Sequence, residues 1–192
     1  MLNILMAVLV AAAGSATADG PTDTVKTAVQ QVFSGPDGQV VKTVSGPERR
    51  AAIRKVTEGL FDFTEMSQRS LGGAWAQASP AEQQEFVRLF GGLIANVYMG
   101  RIEQYAGEPI SYVGERIEGD EATVQSSVVT PKGSQIGIEY RLYRGTDGRW
   151  TVYDLYVDGF SLVGSYRAQF NRLLQRGSFA DLLKQLRQKV GS

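Results

Sequence analysis

In the run WTVYDLYV (150–157) a carboxylate, Asp154, stands between Tyr153 and Leu155. Burial among apolar neighbours raises an Asp pKa, and a nearby phenol, Tyr140 or Tyr153, would complete an acid–base pair. The competing reading is structural: a buried or half-buried Asp most often answers an Arg, and Arg141 and Arg167 are the candidates. An isolated, solvent-reachable Asp154 would speak for catalysis, and an Arg-paired one against it. No motif around Asp154 favours catalysis. Arg141, Arg144 and Arg167 offer a second chemistry, because a guanidinium holds a phosphate through two parallel N–H bonds. Equally, they could dock onto acidic patches of a partner.

Two absences narrow the field further. The chain has no Cys and no His among its 192 residues. That removes Ser–His and Cys–His nucleophiles, thiolate or imidazole zinc sites, and every disulfide. A metal site would have to be all-oxygen, and no run matches the calcium loop D-x-[DN]-x-[DN]-G, so no metal and no catalytic residue is expected. Twenty basic residues balance twenty acidic ones, which argues against a nucleic-acid partner.

The elements that must position these side chains follow from periodicity. With 43% hydrophobic residues the chain can build a core of its own. Val25, Ala28, Val29, Val32 and Phe33 recur at helical spacing behind the capping residues Thr22 and Asp23. After a turn-rich stretch (34–50), a second helix starts near Glu48 and aligns Ala52, Ile53, Val56 and Leu60. A short helix follows before Gly72-Gly73. The strongest helical signal begins at Ser79, where Ser79, Pro80 and Glu82 spell a capping box. Its stripe is Phe86, Leu89, Phe90, Leu93, Ile94, Val97, Tyr98 and Ile102, interrupted by Gly91-Gly92. That glycine pair means either close approach of another backbone or space left for a ligand.

From Pro109 the period changes to two. ISYVGERI, EATVQSSVVT, SQIGIEYRLYR and RWTVYDLYVDG read as four strands joined by turns at EGD, PKG and TDG. Short turns between consecutive strands make an antiparallel meander. Helical spacing returns with Leu162, Val163, Tyr166, Phe170, Leu173 and Leu174. A last helix, capped by Ser178, carries Leu182, Leu183, Leu186 and Val190. The expected fold is therefore α+β, with a curved four-stranded meander packed against several helices. In the last strand Trp150, Val152 and Tyr156 alternate with Tyr153, Leu155 and Val157, so both faces look apolar and one could line a cavity.

The first twenty residues, MLNILMAVLVAAAGSATADG, are apolar from Leu2 to about Ala13 and end in the A-x-A pattern Ala16-Thr17-Ala18. That predicts a signal peptide over 1–18 and a single domain over 19–192, exported to the periplasm.

Two long stretches carry a resemblance. FDFTEMSQRSLGGAWAQASPAEQQEFVRLFGGLIANVY (61–98) and IEYRLYRGTDGRWTVYDLYVDGFSLVGSYRAQFNRLL (138–174) resemble the two signatures of the MlaC family, the toluene-tolerance or maintenance-of-lipid-asymmetry periplasmic component. The resemblance implies a lipid-transport protein that carries phospholipid as cargo, with no other cofactor. It implies partners too: an inner-membrane MCE-type ABC transporter complex and an outer-membrane lipoprotein/porin complex. Some relatives accompany hopanoid pathways, which leaves a hopanoid as an alternative cargo. A structural adaptor with a solid core is the alternative outside transport. A carrier that encloses its cargo alone is expected to be a monomer.

Given that resemblance, the tail-lining candidates are Phe86, Leu89, Phe90, Leu93, Ile94, Val97, Tyr98, Ile138, Tyr140, Leu142, Trp150, Val152, Phe160, Tyr166 and Phe170. Arg141, Arg144 and Arg167 become candidates for head-group or partner contact. Burying roughly thirty methylenes at ~0.8 kcal/mol each is worth about 24 kcal/mol, so a carrier must enclose most of both tails to compete with a bilayer.

Overall fold

The structure, a computed structural model, describes residues 20–34, 46–104, 109–130 and 133–191. The expected signal peptide and the stretch 35–45 lie outside the described residues. Helix α1 (Pro21–Ser34) begins at Pro21, ahead of the expected caps, because proline's fixed φ suits the first helical position. Helix α2 spans Gly46–Leu60. Where one short helix was expected there are two, α3 (Phe63–Leu71) and α4 (Gly73–Gln77), parted by Gly72 at φ +55°. Asp62 caps α3 by accepting from the Glu65 N–H at 2.8 Å. Helix α5 (Pro80–Gln104) opens with the predicted capping box: the Ser79 N–H and hydroxyl donate to Glu82 at 2.9 and 2.7 Å.

The sheet has five strands in the order β1 (Ile110–Glu118), β2 (Glu121–Val129), β3 (Gln135–Arg144), β4 (Trp150–Val157) and β5 (Phe160–Ser161), all antiparallel. The four-stranded expectation missed β5. Asp158 and Gly159 both take positive φ, +48° and +81°, which folds the chain straight back so that Phe160 pairs with Val157. That Asp-Gly pair ends the sequence pattern of β4 and is also a hairpin turn. Helices α6 (Leu162–Leu174) and α7 (Phe179–Val190) close the chain, each behind a serine cap, Ser161 and Ser178. No helix of the described residues is long and apolar enough to cross a membrane.

The register explains why β4 looked apolar on both faces. Arg141 pairs with Asp154 but Leu142 pairs with Val152, so Tyr153 is the extra residue of a β-bulge. The bulge shifts the alternation by one. Trp150 and Val152 before it, and Leu155 and Val157 after it, therefore share one face with Leu142, Tyr140 and Ile138. The other face carries Arg141, Asp154, Glu139 and Tyr156.

Among the described residues two apolar cores result. Helices α1 and α2 cover the inner sheet face, where Val25, Ala28 and Leu60 meet Ala122, Val124, Tyr140, Leu142, Trp150 and Val152. Helices α3, α5, α6 and α7 build the second core from Met66, Leu71, Phe86, Leu89, Phe90, Leu93, Phe170, Leu182, Leu183 and Leu186. Phe61 and Leu155 pack against both cores.

Candidate functional site

Asp154 belongs to the framework. It is 7% exposed and accepts three hydrogen bonds, from the Ser161 hydroxyl at 2.5 Å and from the Leu155 and Val163 N–H groups at 2.8 and 3.0 Å. The expected arginine partners are replaced by the N-terminus of α6, whose unpaired N–H groups suit a carboxylate. Arg141, across the strand, bonds Glu139 at 2.7 Å instead. Of the phenols proposed beside Asp154, Tyr140 has its pKa raised by burial, which the Ser126 hydroxyl partly opposes. That of Tyr153 is raised as well, again mainly by burial. Both stay neutral and are poorly matched to proton transfer near pH 7.

The three arginines occupy three separate places. Arg141 lies on the outer sheet face, its guanidinium 5.3 Å from the Tyr156 ring centre. Arg144 bonds Asp120 at 2.9 Å and stands 5.2 Å from the Trp150 ring centre on the inner face. The Arg167 guanidinium rests on Gly72, at the α3–α4 corner. They form no common phosphate cradle.

The apolar candidates divide between the two cores. Phe86, Leu89, Phe90, Leu93, Tyr166 and Phe170 lie in the helical core, with Phe170 edge-on to Phe86 and Phe90 at 5.3 and 5.4 Å. Tyr140, Leu142, Trp150, Val152 and Ile138 lie in the sheet core. The cores meet at a seam where Phe61 and Leu155 pack against both, and away from it burial falls off along two stripes. On α5, Phe90 is 0% exposed and Leu93 7%, Ile94 and Tyr98 are half-buried, and Val97 reaches 46%. On the inner sheet face, Leu155, Val157, Ile138 and Tyr112 are half-buried, while Phe160 is 76% exposed. A ligand lying in the seam would meet apolar side chains from both cores.

Ile110, Val128, Ile136, Val157 and Phe160 mark one end of the sheet by register. The chain leaving α5 reaches Ile110 within six residues of Gln104, so at most about 20 Å separates them. Tyr166 joins the α5 stripe, its ring 5.1 Å from that of Phe90. Its pKa is raised by burial first and by Tyr98 second.

In the Gly91-Gly92 pair only Gly92 serves close packing. A Cβ on Gly91 would stand 3.5 Å from the Phe63 ring, and one on Gly92 only 3.0 Å from Val190. Gly92 lets α7 approach α5, while Gly91 leaves ordinary contact room toward Phe63 of α3. The residues that sequence reasoning left out of the site are Phe61, Leu155, Val157 and Tyr112. Phe61 shows no periodic cue, because it reaches the sheet through an isolated bridge to Val152. Leu155 and Val157 were hidden by the bulge.

The family described as MlaC protein matches residues 25–188. Among solved structures, the chain is similar to the phospholipid-binding protein from Ralstonia solanacearum, solved in complex with a phospholipid. The match has a TM-score of 0.75 at 27% identity and covers 88% of this chain and 95% of that one.

Proposed function

The chain belongs to the MlaC family, and on that footing we propose that it is a periplasmic phospholipid carrier whose lipid tails lie in the seam between its two cores. The observation that carries this reading is the likeness, over nearly the whole fold, to a protein solved with a phospholipid bound. The seam supplies the chemistry: Ile94, Val97, Tyr98 and Tyr166 on the helical side, Tyr112, Ile138 and Val157 on the sheet side, with Phe61 and Leu155 at its floor. All are apolar or aromatic, as a tail site requires. Separation of the two cores enlarges the seam into the enclosing cavity, since each keeps its own buried residues when they part.

In this proposal residues 1–18 direct export and 19–192 form the carrier, a monomer. It moves phospholipid between an outer-membrane lipoprotein/porin complex and an inner-membrane MCE-type ABC transporter complex. Arg141, Arg144 and Arg167, which lie at different places, serve partner surfaces better than a single head group. The test is native mass spectrometry of protein purified from a bacterial envelope, followed by solvent extraction. Phospholipid at close to one per chain is the expected result, and its mass counts the tails. A hopanoid in the extract would change the cargo. Protein that is empty and takes nothing from vesicles would overturn the carrier reading.

A further inference from the structure

On the inner face of the sheet one residue breaks an apolar row. Along β2 that face runs Ala122, Val124, Ser126 and Val128, and Ser126 pairs with Tyr112 on one side and Ile138 on the other. Both neighbours are half-buried members of the sheet side of the seam, yet Ser126 is only 2% exposed. Its hydroxyl oxygen is buried and has no hydrogen-bond partner among the described residues. The Tyr140 phenol, one row nearer Leu155, is close enough to feel that hydroxyl, but the two do not meet in hydrogen-bond geometry. Glu115, on the same face one row away, is engaged by the Thr22 N–H and hydroxyl at 2.9 and 2.6 Å. A buried hydroxyl left unpaired costs free energy that an alanine in its place would not.

We infer that the Ser126 hydroxyl donates a hydrogen bond to an ester carbonyl of the cargo, which makes a diacyl glycerolipid the substrate class; this step rests on the carrier reading above. A phospholipid brings two kinds of polar group. Its phosphate is charged and calls for water or cations, neither of which an apolar seam supplies. Its ester carbonyls are neutral acceptors joined directly to the tails, so they follow the first tail carbons into an apolar site. One buried neutral donor, with no charge beside it on β2, matches one such acceptor. The selectivity works by difference. A lipid with an ester carbonyl relieves an unpaired group, whereas a hydrocarbon polycycle or an ether-linked chain leaves it unpaired or weakly paired.

The experiment offers the full mature protein, stripped of lipid in mild detergent, mixed micelles holding equal amounts of two lipids. One is a diacyl phosphatidylethanolamine and the other its dialkyl-ether analogue of the same chain length. Native mass spectrometry reads which is bound. The unsubstituted protein is expected to take the ester form about fivefold over the ether form. S126A should load both equally and keep its fold by circular dichroism, because the hydroxyl it loses has no partner in the protein. S126T, which retains a hydroxyl, should retain the preference. Equal loading by the unsubstituted protein would mean that water satisfies Ser126 and would overturn the inference. A preference that S126A leaves unchanged overturns it as well. Protein that takes up neither lipid removes the carrier reading itself, so the two failures are distinguishable.

Discussion

Single side chains join the two cores. Asp62 caps α3 with one carboxylate oxygen and accepts the Tyr143 hydroxyl with the other, while its N–H donates to the Val152 carbonyl at 2.9 Å. The Tyr143 phenol is thereby pushed up to about 12, by the hydrogen bond to Asp62 first and burial second. A folded pKa above the free value means that the neutral phenol is the form folding favours. Its contribution is complete below about pH 10, the ordinary phenol pKa, and is lost as pH rises through 12. Ultraviolet titration at alkaline pH, with Y143F identifying the Tyr143 signal, should find that phenol ionising near 12, and D62N should bring it down towards 10. A Tyr143 already ionising near 10 in the unsubstituted protein would mean that Asp62 does not hold it. Asp154 does the corresponding work for α6. Its chemical look in the sequence came from apolar neighbours, but its partners are a serine and two backbone N–H groups, which no residue-type pattern reveals.

At the scale of elements, the glycine pair in α5 separates propensity from packing. Gly91 has ordinary contact distance to spare and a helical backbone. Gly91→Ala should therefore raise stability by about 0.5–1 kcal/mol, as the unfolded chain loses freedom and helix propensity rises. Gly92 has no such room against Val190, and Gly92→Leu should push the end of α7 off α5 and lower stability by about 1–3 kcal/mol. Chemical denaturation of both variants checks the pair, and equal effects of one sign would refute the assignment. The end of α7 is held besides by Arg187, which grips Glu85 through two bonds at 2.7 and 2.8 Å. The β4 bulge is the second lesson at this scale. Alternation was the right cue for a strand, but one unpaired residue inverted the face assignment of everything after it, and only pairing with β3 shows where it sits.

For the whole molecule, the division into two cores predicts different outcomes for two glutamates. Leu142 is fully buried between the sheet and its covering helices, so Leu142→Glu should unfold the protein. Ile138 is half-buried on the same strand and face, so Ile138→Glu should keep the fold and lose bound phospholipid. Circular dichroism and lipid extraction read the two effects. A folded Ile138→Glu protein with its full lipid load would move the tails away from the sheet side of the seam. Most helices, four strands, the Ser79 capping box, the Ser178 cap and the family were legible in the sequence, because periodicity, caps and turns are local and two long motifs lie in continuous stretches. The division of the apolar residues was not. Phe90 and Tyr140 look alike as stripe members, and which core takes each depends on whether α1, α2 or α6 comes to cover it. Helical spacing and strand alternation give an apolar face its direction along one element. What that face meets is decided by contacts between residues far apart in the chain, so the seam and the exposed Phe160 exist only in the folded molecule.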